Sequence, residues 1–453
     1  MNSSRWSAFG IANSGIYTML LVSAGLGTIS LGGGNLGNIR VWQVFLLFFI
    51  IFALIKSLSK GVVSIKSLPL MFIISGYFVS VLVSGANAID SSLWLKRLAL
   101  VFAMLSLFIV FAQRSSLKEI DRARLIIIFS GVFFSALGFI EIYLYNFQIE
   151  IYNVIHSIDR TAGDSERALA SYGILTRARG FFNEANEFSQ YLLLPFGYAL
   201  ASIYFGQMRN GLRILYIGGA SIIVLAQVAS LSRGGFLGFG GQLIALFIVN
   251  KSCGRSVRKS KNNHLITLSA LLIVLPSIFL LSSYIDVDFV GLVATIFDRF
   301  STTSTEDDWS TKPRLATIYA GFSSAGAGLW NFLIGVGAGN LDVSNVREAT
   351  TTNQFVDVLV ETGVLGLVFY TGTILFLLWI SYKFMRSQSS SYNKDALLCF
   401  GGAYLSFVGM LFGGMTYSTH SLFFFWLNAG LLAAACTIQI KDTERPLQVK
   451  TKR

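Results

Sequence analysis

Apolar runs of roughly 18–20 residues recur along the whole chain, separated by short polar breaks. Each run is long enough to cross a hydrocarbon core of about 30 Å. Run length predicts about twelve spans, over 14–32, 41–55, 68–86, 94–112, 124–146, 187–205, 213–231, 235–250, 265–283, 354–382, 397–415 and 420–439. The hairpin over 213–250 is interrupted near Ser232-Arg233-Gly234-Gly235. The run at 354–382 is long for one helix and is expected to tilt or to begin outside the lipid. The expected fold class is all-α: a polytopic integral membrane protein forming one domain over 1–453. The first run holds only Val22-Ser23-Ala24 as a cleavage-like triplet and continues past it, so it reads as a retained helix.

Two connections are long, 146–185 and 284–353; every other one is short. Loops of that length inside a compact protein usually carry function. Within the second, Leu315, Ile318, Tyr319, Phe322, Leu329 and Trp330 recur at helical spacing, and Pro313 suits a first helical turn. An amphipathic helix is expected there, lying on the membrane or over a cavity, or simply packing on the bundle. Gly335-Val336-Gly337-Ala338-Gly339-Asn340 follows. It lacks the final glycine and the strand–helix setting of a dinucleotide site, so it reads as a turn.

Composition agrees with the run pattern. The chain is 54% hydrophobic and only 13% charged, with mean hydropathy +0.64, whereas a soluble domain carries about 25% charged residues. The net charge of +12 follows from topology. With both termini in the cytoplasm, the inside segments hold most of the 35 Lys and Arg residues. Of the 23 acids, the inside holds only Glu119, Asp121, Asp395, Asp442 and Glu444. That is the asymmetry of the positive-inside rule. A nucleic-acid reading needs a basic soluble module, which is absent from the pattern. Cys253, Cys399 and Cys436 offer neither zinc spacing nor a disulfide framework.

Against that rule, several arginines fall on the outer side. Arg177 and Arg179 open the span at 187; Arg233 sits at a hairpin tip; Arg299 and Arg314 lie in the second long loop. Each can be a structural ion pair or a side chain snorkelling to head groups. As a group they mark a site for something anionic, because charge at membrane depth is costly and tends to be functional. Arginine keeps its charge and its fork matches phosphate oxygens. Arg314 also falls in a first helical turn, where backbone N–H groups favour anions.

The three histidines say less. His156 and His264 read as surface residues, and His420, in Tyr417-Ser418-Thr419-His420, as a helix-start residue facing water. Asp286-Val287-Asp288 is a literal DxD, but solvated acids at a helix exit explain it, so no metal site and no cofactor is expected. Glu184, Glu187, Asp357 and Glu361 lie outside and can pair with Arg177 or Arg179, or serve as a general base.

Three stretches together resemble the O-antigen polymerase and ligase superfamily of bacterial envelope glycosyltransferases. The first is Arg177-x-Arg179-Gly180-Phe181-Phe182-Asn183-x-x-Asn186; the second is Ser232-Arg233-Gly234-Gly235. The third runs from Arg314 through Gly335–Asn340 to Asn353-x-Phe355 and Glu361-Thr362-Gly363-Val364-Leu365-Gly366. The likeness covers roughly residues 175–370, in order. Ligases of this superfamily resemble one another in a histidine before the third-stretch asparagine; Thr352 stands there instead. The departure favours the Wzy-type polymerases, in which such a histidine is not expected, and leaves His420 dispensable.

The resemblance implies a metal-independent glycosyltransferase of the bacterial inner membrane, with both long loops periplasmic. It would join undecaprenyl-pyrophosphate-linked repeat units, with membrane lipids around it and a chain-length regulator as an expected partner. By the same likeness, Arg179, Arg314 and Glu187 are the expected catalytic residues. Arg177, Arg233, Arg299, Asn183, Asn186 and Asn353 are the expected pyrophosphate- or substrate-binding residues. A transporter or flippase of lipid-linked sugars is the other class a bundle of this size suits, although it usually shows two similar halves and broken helices at midplane.

Overall fold

The computed structural model describes residues 17–26, 30–31, 39–40, 42–48, 50–51, 68–112, 116–146, 177–182, 184–206, 210–253, 311–341, 353–390 and 393–444. The expected span at 265–283, most of both long loops, Asn183, Arg299, Asp286 and Asp288 lie outside those residues. The described chain is helical. Its strand pairing is confined to two residues a side, Ser30 opposite Arg40 and Leu31 opposite Ile39, antiparallel.

The principal helices are α1 (Leu68–Ser84), α2 (Ser91–Ala112), α3 (Leu117–Asn146), α4 (Ala185–Phe205), α5 (Asn210–Ala229), α6 (Arg233–Ser252), α7 (Thr311–Gly326), α8 (Leu329–Ile334), α9 (Gln354–Ser390), α10 (Lys394–Gly413) and α11 (Phe423–Glu444). Seven helices among the described residues are long and apolar enough to cross a membrane. Those on the periphery turn Phe72, Phe129, Ile214, Leu215 and Phe247 outward. Large apolar side chains on the outside of a helical bundle are what a lipid solvent permits.

Helix α4 is the centre. Every residue in it is buried except Asn186 and Tyr204. It packs most extensively on α10, and also on α3, α5 and α6. Small residues let these helices close up: Gly197 lies against the Ser406 backbone, where a Cβ would come within 2.6 Å of its nitrogen. Pro195 interrupts the ladder of α4. Neighbouring side chains bond to the carbonyls beside it: Ser406 donates to the Leu194 carbonyl at 2.7 Å, and Gln242 to that of Leu193 at 2.5 Å. These bonds tie α4 to α10 and α6 beside the proline.

Helix α9 is not one continuous rod. Gly363 adopts φ 65°, ψ −170° inside it, a region essentially restricted to glycine. A Cβ there would fall 2.3 Å from the Leu333 backbone. The end of α8 therefore seats directly on the break, and the Val336 amide donates to the Val360 carbonyl at 2.9 Å. The expected long run at 354–382 is thus two helical pieces joined at Gly363.

The helix expected over 315–330 is also two pieces, α7 and α8, parted at Ala327-Gly328. Ile318 and Ala320 pack toward Val336, Val356 and Val360, while Tyr319, Phe322, Leu329 and Trp330 are exposed.

Candidate functional site

At one end of the bundle, α1, α3, α5 and α10 finish and α2, α4, α6, α9 and α11 begin. Glu141, near the end of α3, organises the first signature stretch there. Its buried carboxylate accepts from the Arg179 amide at 3.0 Å, the Arg179 Nε at 3.1 Å and the Gly180 amide at 2.6 Å. Arg179 is itself only 5% exposed. The turn needs its glycine: Gly180 has φ +56°, where other residues are strained. The sequence expectation paired the outer arginines with Glu184, Glu187, Asp357 or Glu361. The partner found for Arg179 is instead an acid inside an apolar span.

Arg177 reaches the second stretch. Its Nε donates to the Ser230 carbonyl at 2.9 Å, and its terminal nitrogen to Asn186 Oδ1 at 3.0 Å. Ser232 donates to the same Asn186 oxygen at 3.0 Å, and the Ala178 amide to the Ala229 carbonyl at 3.0 Å. Asn186 therefore ties the first two stretches together. Arg233, half-buried, is the first residue of α6.

The turn after α10 joins the second stretch to the third. Gly234 backs onto Thr416, leaving no room for a Cβ. The Gln354 amide donates to the Gly414 carbonyl at 3.0 Å, and Asn353 Nδ2 to the Met415 carbonyl at 3.2 Å. Asn353 also accepts from the Phe355 amide at 2.9 Å, opening α9.

Sequence reading missed a second cluster at this end. Arg97 of α2 donates to Glu361 of α9 at 3.3 Å, and the same terminal nitrogen lies 2.9 Å from His420 Nε2. His420 Nε2 lies 3.7 Å from Glu361 Oε2. The Gly339 backbone adds a hydrogen bond to Glu361. His420 does not face water, as expected from sequence; it is 3% exposed. The turn Thr419–Ser421 folds inward because Thr419 donates to Gln354 Oε1 and the Trp426 indole donates to the His420 carbonyl at 2.8 Å. Tyr370 meets the imidazole edge-on. The partners of Arg97 stand 264 and 323 positions away, so no local motif announces them. Glu361 and His420 were each noted from sequence, but Arg97 was visible only as a basic residue in an apolar run.

The remaining expected site residues divide. Glu187 is buried and lines a cavity of about 20 Å³ with Phe182, Trp42, Ser421 and Phe424. That is room for one water-sized group. Arg314 falls in the first turn of α7, and its side chain lies outside the described residues. No family model matches the chain, and no curated protein matches it. The helices themselves define the class: an α-helical membrane protein.

Proposed function

We propose that this protein polymerises undecaprenyl-pyrophosphate-linked oligosaccharide repeats on the periplasmic face of the bacterial inner membrane. On this reading the chain has about twelve spans, cytoplasmic termini and periplasmic loops at 146–185 and 284–353. What supports it is the convergence of three stretches far apart in sequence, linked by Asn186 and by the turn at Gly414–Thr416. Arginines gather there, at the end the charge asymmetry assigns to the outside.

In the proposed transfer, the anomeric carbon–oxygen bond to the donor pyrophosphate breaks. A new bond forms from that carbon to the acceptor hydroxyl oxygen. Arg177, Arg233, Arg299 and Arg314 stabilise the charge that grows on the leaving lipid pyrophosphate. Arg179 acts by holding its loop against Glu141. The acceptor proton goes to Glu187, which lines the small cavity. Asn183, Asn186 and Asn353 supply neutral polar contacts.

A second reading is favoured by one observation. A helix broken at Gly363, beside a partly buried Arg97–Glu361 pair, is also how transporters build sites inside a bundle.

A strain lacking the gene separates the assignments. Polymerase loss leaves lipid A core carrying one repeat unit, because ligation survives. Bare core with long glycan accumulating on the carrier lipid would instead assign the protein as a ligase. Repeat units trapped on the cytoplasmic side would assign it as a flippase.

A further inference from the structure

The Arg97–Glu361–His420 cluster has a chemistry of its own. Arginine offers only donors. Its terminal nitrogen at 2.9 Å from His420 Nε2 therefore requires a lone pair on that ring atom. The arrangement fits a neutral imidazole with its proton on Nδ1. Among the described residues, His420 meets Arg97 of α2 and Glu361 and Tyr370 of α9, and Arg97 in turn feels Asp357 of α9 and Tyr77 of α1. With the phenols neutral and His420 neutral, Arg97, Glu361 and Asp357 carry a formal charge of one negative unit. One added proton brings the group to neutrality.

That proton changes the contacts. On Nε2 it would point at an arginine N–H, so the Arg97–His420 hydrogen bond is lost and the two cations repel. Glu361 Oε2, 3.7 Å from Nε2, is an acceptor the imidazolium can turn to. We propose that Arg97, Glu361 and His420 form a proton-binding clasp, closed while His420 accepts from Arg97 and opened by protonation of His420 Nε2. The inference goes beyond the transfer reading and stands without it.

The surrounding backbone is arranged to feel the change. His420 belongs to the turn that Thr419 ties to Gln354. Glu361 sits two residues before the break at Gly363; Gly335 rests against the Glu361 backbone and Gly339 against Arg97, both with positive φ. Losing the Arg97–His420 bond therefore loosens two segments, 335–341 and 419–423.

The test is hydrogen exchange of the full-length protein in lipid nanodiscs, read as protection factors from pH 8 to pH 5, where imidazoles titrate. The expected result is a fall of about tenfold or more at 335–341 and 419–423 on acidification, the change due to one hydrogen bond to a charged group. His420→Gln keeps an oxygen that accepts from Arg97 but takes no proton, so its protection factors stay flat with pH. Flat wild-type factors, or an equal fall in His420→Gln, would overturn the clasp. A second measurement covers a misfolded His420→Gln. The chain has 3 histidines, so His156→Gln/His264→Gln leaves His420 alone for nitrogen-15 spectroscopy. It should show the Nδ1–H tautomer at pH 8 and imidazolium at pH 5. The Nε2–H tautomer at pH 8, or no titration, would refute the proposal.

Discussion

Replacing Glu141 tests whether the first signature stretch is held as described. Its carboxylate accepts three hydrogen bonds, two from backbone amides and one from a guanidinium, and both partners of the ion pair are less than 10% exposed. Glu141→Leu leaves a buried cation and two amides without that acceptor. Breaking a buried pair from one side costs about 3–5 kcal/mol. Arg179→Met leaves the carboxylate its two amide donors, so its cost falls toward the lower end, about 3 kcal/mol. Removing both charges abolishes the stranded-charge penalty but not the stranded amides. The double variant should then sit about 1–3 kcal/mol below wild type, the cost of leaving buried donors unmet. Two-state unfolding in mixed micelles of increasing SDS fraction gives the four free energies and the coupling between the sites. Additive single effects, or a Glu141→Leu change below about 0.5 kcal/mol, the size of an ordinary surface substitution, would refute the reasoning.

Arg314→Ala is expected to abolish polymer formation, with Lys a poor substitute because its point charge does not fork across a pyrophosphate; full glycan ladders from the alanine variant at normal protein level would remove Arg314 from the mechanism. Gly363→Ala should lower the thermal midpoint in detergent, at a cost of at least ~2 kcal/mol for the strained backbone, and an unchanged midpoint would mean the break is not needed. Transfer should persist in excess EDTA, since arginine supplies the positive charge; loss restored by Mg²⁺ or Mn²⁺ would direct attention to Asp286 and Asp288. Cysteine at Ser304 should react with an impermeant thiol reagent on intact cells and cysteine at Ser260 should not; the reverse pattern would invert the topology.

Helices such as α1, α2, α5 and α10 were legible because an apolar run of spanning length has few other solutions. The break in α9 was not. Gly363 is one of 43 glycines, and only the approach of Leu333, 30 positions earlier, makes its positive φ necessary. The arginines expected outside stood out because on that topology they break a charge rule. Their partners did not: Glu141 lies inside a span expected to be apolar, 38 positions from Arg179. Arg97 and His420 each looked ordinary in their own windows. Glu361 was visible as an outer acid, but its pairing with Arg97 depends on how α2 and α9 meet, which run lengths do not encode. His420 looked wet because a short turn between spans usually is, and the Thr419–Gln354 and Trp426 hydrogen bonds that draw it inward are tertiary.

The central claim is the joining of repeat units, and purified protein answers it directly. Reconstituted in liposomes with a single lipid-pyrophosphate-linked repeat accessible on the periplasmic-type face, the protein should convert it into a ladder of longer lipid-linked chains. Free carrier pyrophosphate should appear in step, one molecule for each bond formed. Repeats that cross the bilayer without lengthening would contradict the account and support the transporter reading.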